Sequence, residues 1–211
     1  MLLKQCAISV TTVAVLLLGG CSRPVTNPSA SNVPAPPEKS TAPQIVAAKT
    51  ALGPMYAVAR NWSRDVVVLR MTAKEVPGFK NEDGKAAMWE AAFASPSLRQ
   101  YRVFTYSVAA VPPDIHKGVL AGLEMPWSGA TRDAMPVDLS MFNVDSDAAY
   151  KAASSEAADW LNKNPGIQLS SLEIGDTYKS QDPVWYVKWG NKKSGYAALV
   201  DASSGKILKH L

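Results

Sequence analysis

The chain predicts an α+β fold whose folded part holds two similar units, each one helix packed on a small antiparallel sheet. Three observations predict it: aromatic landmarks recur in the same order, each set follows a helix-forming segment, and strand-like runs bounded by turn residues come after it. Trp62 to Trp89 is 27 residues and Trp160 to Trp185 is 25, while Tyr101 follows Trp89 by 12 and Tyr196 follows Trp185 by 11. Trp89 and Phe93 share an i, i+4 spacing with Trp185 and Trp189, which in a strand puts both members on one side with Ala91 or Val187.

Before the folded part, Lys4 is followed by an apolar run, Ile8 to Leu18, broken only by Ser9, Thr11 and Thr12 and ending in Leu18-Gly19-Gly20-Cys21. The run is too short for a stable bilayer span and small residues precede the cysteine, so residues 1–20 are expected to be an export signal that is removed. The four residues Leu18 to Cys21 resemble the bacterial lipobox. That resemblance implies that Cys21 is acylated and becomes the first residue of a lipid-anchored protein, with no cofactor besides the covalent lipid. Several acyl chains make a lasting tether, because one chain alone binds only marginally. Ser22 stands where an inner-membrane retention signal would have Asp, so the resemblance implies the outer membrane, facing the periplasm.

Residues 21–43 carry Pro24, Pro28, Pro34, Pro36, Pro37 and Pro43 among Ser, Thr, Asn and Ala, and read as a semi-extended tether able to span on the order of 60 Å. The first unit is expected over 44–111. Its helix runs from Ile45 to Asn61, a β-branched run covers Val66 to Leu69, and a strand covers Met88 to Phe93. Lys80 to Lys85 reads as a solvated hairpin tip. Residues 112–144, rich in Pro and Gly, are expected to connect the units and to include a strand around Gly118 to Leu123. The second unit, 145–211, opens with N-cap chemistry at Asp145-Ser146-Asp147, continues as a helix over Ala148 to Leu161 and stops at Asn164-Pro165-Gly166. Strands follow over Ile167 to Ile174, Val184 to Trp189 and from Tyr196 on. Trp89, Phe93, Trp185 and Trp189 are expected in two helix–sheet cores, with Glu90, Tyr186 and Lys188 facing the other way.

From Ser146 to Leu211 the helix, the Trp strand and the hairpin Val200-Asp201-Ala202-Ser203-Ser204-Gly205-Lys206-Ile207-Leu208 resemble a PepSY domain. In that hairpin Asp201 and Ser203 can bond nearby amides and Gly205 can supply a positive φ. The resemblance implies PepSY-like or cystatin-like units and a non-catalytic role in binding or inhibiting peptidases. The first half lacks the Asp-x-x-x-Gly-Lys hairpin, having Ser107 to Pro112 in its place, and joins the resemblance only through the repeat.

Chemistry is sparse. Cys6 is lost with the signal and Cys21 is taken by lipid, which leaves no thiol for disulfide, nucleophile or metal. His116 and His210 read as loop and surface residues, and no zinc spacing, phosphate loop or nucleophile elbow occurs. Without Lys4 the chain has 21 basic and 18 acidic residues, a mild surplus spread along its length that does not point to nucleic acid. Asp133, Asp138, Asp145 and Asp147 are the one carboxylate group from which an envelope enzyme could be built, although Asp145 and Asp147 already suit helix capping. Core filling accounts for most of the six tryptophans, but Trp127 lacks a periodic partner, so Trp127 and then Tyr186 are the candidate partner-binding residues. The expected function is a membrane-tethered module that binds a protein or peptide partner through exposed sheet edges. A structural or assembly lipoprotein serving an outer-membrane machine is the alternative.

Overall fold

The computed structural model describes residues 43–131, 135–176, 182–191 and 193–210. The export signal, Cys21, the tether up to residue 42 and Asp133 lie outside the described residues. Helix α1 (Ala48–Trp62) is followed by β1 (Val67–Lys74), β2 (Met88–Ser95), β3 (Gln100–Ser107) and β4 (Gly118–Pro126). Helices α2 (Ser146–Glu156) and α3 (Ala158–Lys163) are followed by β5 (Leu169–Gly175), β6 (Val184–Gly190), β7 (Gly195–Asp201) and β8 (Ile207–His210). The order helix, then four strands, therefore occurs in both halves. All eight strands form one antiparallel sheet in the order β4-β3-β2-β1-β5-β6-β7-β8.

The halves meet where β1 pairs with β5, Met71 opposite Ile174 and Thr72 opposite Glu173. Left apart, these two strands would each expose a row of unpaired backbone groups. Their pairing also joins what the sequence leads one to expect as two cores into one main core. Successive cross-strand partners Val200, Trp185, Ile174, Met71, Ala91 and Phe104 line one face, none of them more than 1 % exposed. Trp89 and Trp185 are both fully buried and meet edge to face, ring centroids 6.4 Å apart. Each indole N–H donates over 2.9 Å to a backbone carbonyl two residues ahead of its own half's first helix, Trp89 to Val46 and Trp185 to Val144. A smaller apolar cluster of Val76, Ala87, Val108 and Ala109 lies beside the main core.

Helix α1 presents Ala48, Ala51, Leu52, Met55 and Ala59 to the core, and its Pro54 is tolerated on the exposed side. Its N-cap position, Ala47, has no side chain able to cap. The missing acceptors come from the start of α2: Ala48 N–H donates to Ser146 Oγ at 2.9 Å and Lys49 N–H to Asp145 Oδ1 at 3.0 Å. Asp145 also accepts from Ser146 N–H at 2.7 Å. Two helix N-termini, each carrying partial positive charge, thus share one carboxylate and one buried hydroxyl.

Three expectations need correction. The strand expected inside the 112–144 connection is β4, and it pairs with β3 along its length, so the first half's sheet extends to Pro126. The single helix expected over Ala148 to Leu161 is broken at Ala157, whose methyl is buried, and this turns α3 so that Trp160 packs on Tyr196 at 5.7 Å. The Lys80 to Lys85 tip is a two-residue hairpin in which Asp83 and Gly84 have φ of 48° and 73°, and it is not merely solvated. A Cβ on Gly84 would collide with the backbone of Ser146 and Asp147, so the tip is wedged against the start of α2.

Candidate functional site

Strand alternation leaves the sheet with one face under the helices and one face that no described helix covers. On the open face Tyr186, Glu173, Thr72, Glu90 and Thr105 follow one another as cross-strand partners on β6, β5, β1, β2 and β3. The row ends at Leu199 and Lys209 on one side and at Leu120 on the other. As expected from the sequence, Glu90, Tyr186 and Lys188 lie opposite the core side chains. Thr72 Oγ1 donates to Glu173 at 3.5 Å and Lys74 Nζ lies 3.4 Å from Glu90. These contacts on a half-exposed face contribute little stability, so the residues there are free to vary with what the face meets.

Trp127 follows β4 at the sheet's far edge, half-buried, its N–H donating to Arg99 O at 2.9 Å. Tyr186 sits on β6, five strands along the order, about 24 Å away across the strands alone, and its cross-strand row reaches β4 at Leu120, seven residues before Trp127. The two candidates therefore belong to one sheet but not to one site. Along this edge the sequence reading missed exposed apolar side chains: Leu120 and Leu123 on β4 are 46 % and 84 % exposed, and Leu98, next to the Arg99 whose carbonyl Trp127 meets, is 47 % exposed. Leu120 and Leu123 read as ordinary strand residues, and only the strand order shows that their strand has no outer neighbour.

The described carboxylates of the 133–147 group have structural work. Asp138 Oδ1 accepts from the Ser140 hydroxyl at 2.7 Å and the Ser140 N–H at 2.9 Å, which hold its carboxyl below the usual range. Asp145 caps two helices, and Asp147 Oδ1 accepts from Ala148 N–H at 2.8 Å. Asp147 also lines an open cleft of about 590 Å³ with Asp83, Lys85, Tyr150, Lys151 and Ser154. Among the described residues no three His, Cys, Asp or Glu side chains come together as a ligand set. His116 lies in an exposed loop. His210 stacks on Tyr196 at 6.2 Å, with its Nδ1 3.4 Å from Glu156. Burial and the Glu156 carboxylate push the Tyr196 phenol up.

The most perturbed carboxylate is one that the sequence does not single out. Asp65 accepts from the hydroxyls of Ser63 and Ser95 at 2.6 and 2.7 Å and from Ser97 N–H at 2.8 Å, and these bonds hold it far below the usual carboxylate range. It staples the end of α1 to the β2–β3 turn. In the β7–β8 hairpin Asp201 accepts from the Ser203 hydroxyl and from the N–H groups of Ser203 and Ser204, and Gly205 has φ 76°, as its sequence suggests. The Ser203 hydroxyl is the main cause of its lowered pKa.

The chain matches no protein family model and no curated protein. One solved structure is similar in fold. It is a crystal structure at 1.85 Å described as that of a candidate lipoprotein from Clostridium difficile 630, with a TM-score of 0.50 and 11 % identity, over 76 % of this chain and 91 % of that one. At that identity the likeness concerns the fold alone. Among the described residues no helix is long and apolar enough to cross a membrane.

Proposed function

We propose that this protein is a lipid-anchored, non-catalytic binding module whose two PepSY-like or cystatin-like halves present one broad sheet to a protein or peptide partner in the cell envelope. The observation that carries the reading is the open face itself: Tyr186, Glu173, Thr72 and Glu90 form a continuous mixed-polarity row on four adjacent strands. In that row Tyr186 supplies the amphipathic aromatic and Thr72 and, next beyond Glu90, Thr105 the hydroxyls that adaptable protein contacts use, while Glu173 and Glu90 add polar groups of the kind found at an interface rim. The lipobox at Leu18 to Cys21 supports the anchor, and so does the description of the structure similar in fold. Ser22 supports the outer membrane. The Pro-rich tether would let the sheet reach a partner away from the bilayer. The hydrogen bonds already held by Asp138, Asp145 and Asp147 support the non-catalytic reading over an envelope enzyme.

Site-specific photocrosslinking from position 186 in the full chain, expressed in an envelope-bearing host, tests this. A discrete adduct with another protein is expected from position 186 and is to be weaker from position 58 on the outer side of α1. No adduct above a lipidated control, or equal labelling from both positions, overturns the reading. Replacing Cys21 by Ser is expected to release the protein from the membrane fraction; retention of that variant overturns the anchor.

A further inference from the structure

The two edges of the sheet are built differently. Edge strand β8 has four residues, contains Lys209 and His210 and follows Lys206, which is the charge-guarded design that keeps an edge from pairing. Edge strand β4 has nine residues and one charge, Glu124, which is neutralised within the same chain by Arg102 Nη1 at 3.5 Å. Its alternation, with a bulge opposite Val103, puts Leu120, Leu123 and Met125 on the open face beside Tyr101, whose hydroxyl lies 3.4 Å from Met125 Sδ. Leu123, at 84 % exposure, is the most exposed of the large apolar side chains on this sheet.

The β4 edge is guarded only by its bulge, by Lys117 before it and by the terminal Pro126, and a nine-residue edge that still carries exposed leucines can pair with another strand unless something covers it. The protein's own tether is a poor cover, because Pro24, Pro28, Pro34, Pro36 and Pro37 cannot donate to a ladder. A second copy fits the charge pattern. Antiparallel pairing of β4 with its twin brings no uncompensated like charges together, buries the leucines of both copies on one face and joins the two sheets edge to edge. We infer that β4 is a homodimerisation edge at which two copies of this chain pair about a two-fold axis. A strand of nine residues gives a contact line about 30 Å long, a modest interface along one edge. Association of that strength is favoured when copies are held on one surface.

The chain offers a direct test, since its only cysteines are Cys6 and Cys21. Of Leu120→Cys and Leu123→Cys in the full chain, oxidised mildly in membranes, the one nearer the two-fold axis is expected to give a disulfide-linked species of twice the monomer mass, since only a residue near the axis faces its own copy. The wild type and Leu208→Cys on β8 are expected to remain monomeric. Leu123→Lys is expected to lower chemical crosslinking of the otherwise unchanged chain by about tenfold. Leu208→Lys is expected to leave it unchanged, and the thermal midpoints of both lysine variants to match wild type. Monomer from both β4 cysteine variants, an adduct with a different protein instead of a second copy, or equal effects of the two lysine variants overturns the inference.

Discussion

Removing the two tryptophans singly and together measures whether the halves share a core. Trp185 is fully buried, touches the rings of Trp89 at 6.4 Å and Phe142 at 5.7 Å, and donates its indole N–H to Val144 O. Trp185→Ala therefore loses the transfer energy of a large aromatic, leaves a cavity between two packed sheet halves and orphans a carbonyl. The expected cost is about 3–5 kcal/mol. Trp89→Ala, which loses the same contact and the bond to Val46 O, is expected to cost a similar amount. Because the two rings touch, the double variant should cost less than the sum by roughly 1 kcal/mol, within the range for contacting residues. Urea unfolding followed by far-UV circular dichroism reads all four corners of the cycle. If the double variant is unfolded, the corresponding Trp→Phe cycle keeps the sign of the coupling measurable. Additivity within about 0.5 kcal/mol would mean two independent cores and would refute the account of a single one.

The shared helix cap predicts that Ser146→Ala destabilises by about 1–2 kcal/mol in denaturant unfolding, because it strands the Ala48 N–H in the interior. A cost below about 0.3 kcal/mol would argue against it. Gly84→Ala combines a positive φ with a collision against Ser146 and Asp147, so a loss of at least about 2 kcal/mol is expected in the same assay. The carboxyls of Asp65, Asp138 and Asp201 are depressed in the folded state. Their contribution is thus present above the unfolded value near 3.9 and lost as pH falls through the lower folded values; Asp65→Asn should flatten the acid limb of a stability–pH curve. Tyr196 is raised instead, so its contribution is present below about pH 10 and lost as pH rises through the folded value, and Tyr196→Phe should flatten the alkaline limb.

The order of helices and strands, the inward placement of Trp89 and Trp185, the Asp201 to Gly205 turn and the capping role of Asp145 were all legible in the sequence. Each depends on local rules: alternation along a strand, spacing along a helix, and the few residues that suit a turn or a cap. The break at Ala157 was not legible, because nothing in the local residues opposes continuation and the turn there is held by packing of Trp160 on Tyr196. Of the candidate contacts, the face of Tyr186 followed from alternation, whereas its distance from Trp127 depended on how many strands intervene. That number was decided by the pairing of β1 with β5, a contact between residues about 100 apart in the chain. The same pairing merged two expected cores into one, let Ser146 of one helix cap the start of another, and took β1 and β5 out of the set of exposed edges, leaving β4 and β8. Local chemistry determined the pieces of this protein and the side each presents. Which pieces touch was decided by the burial of open strand edges and apolar faces against one another, a free energy that exists only once distant segments are assembled.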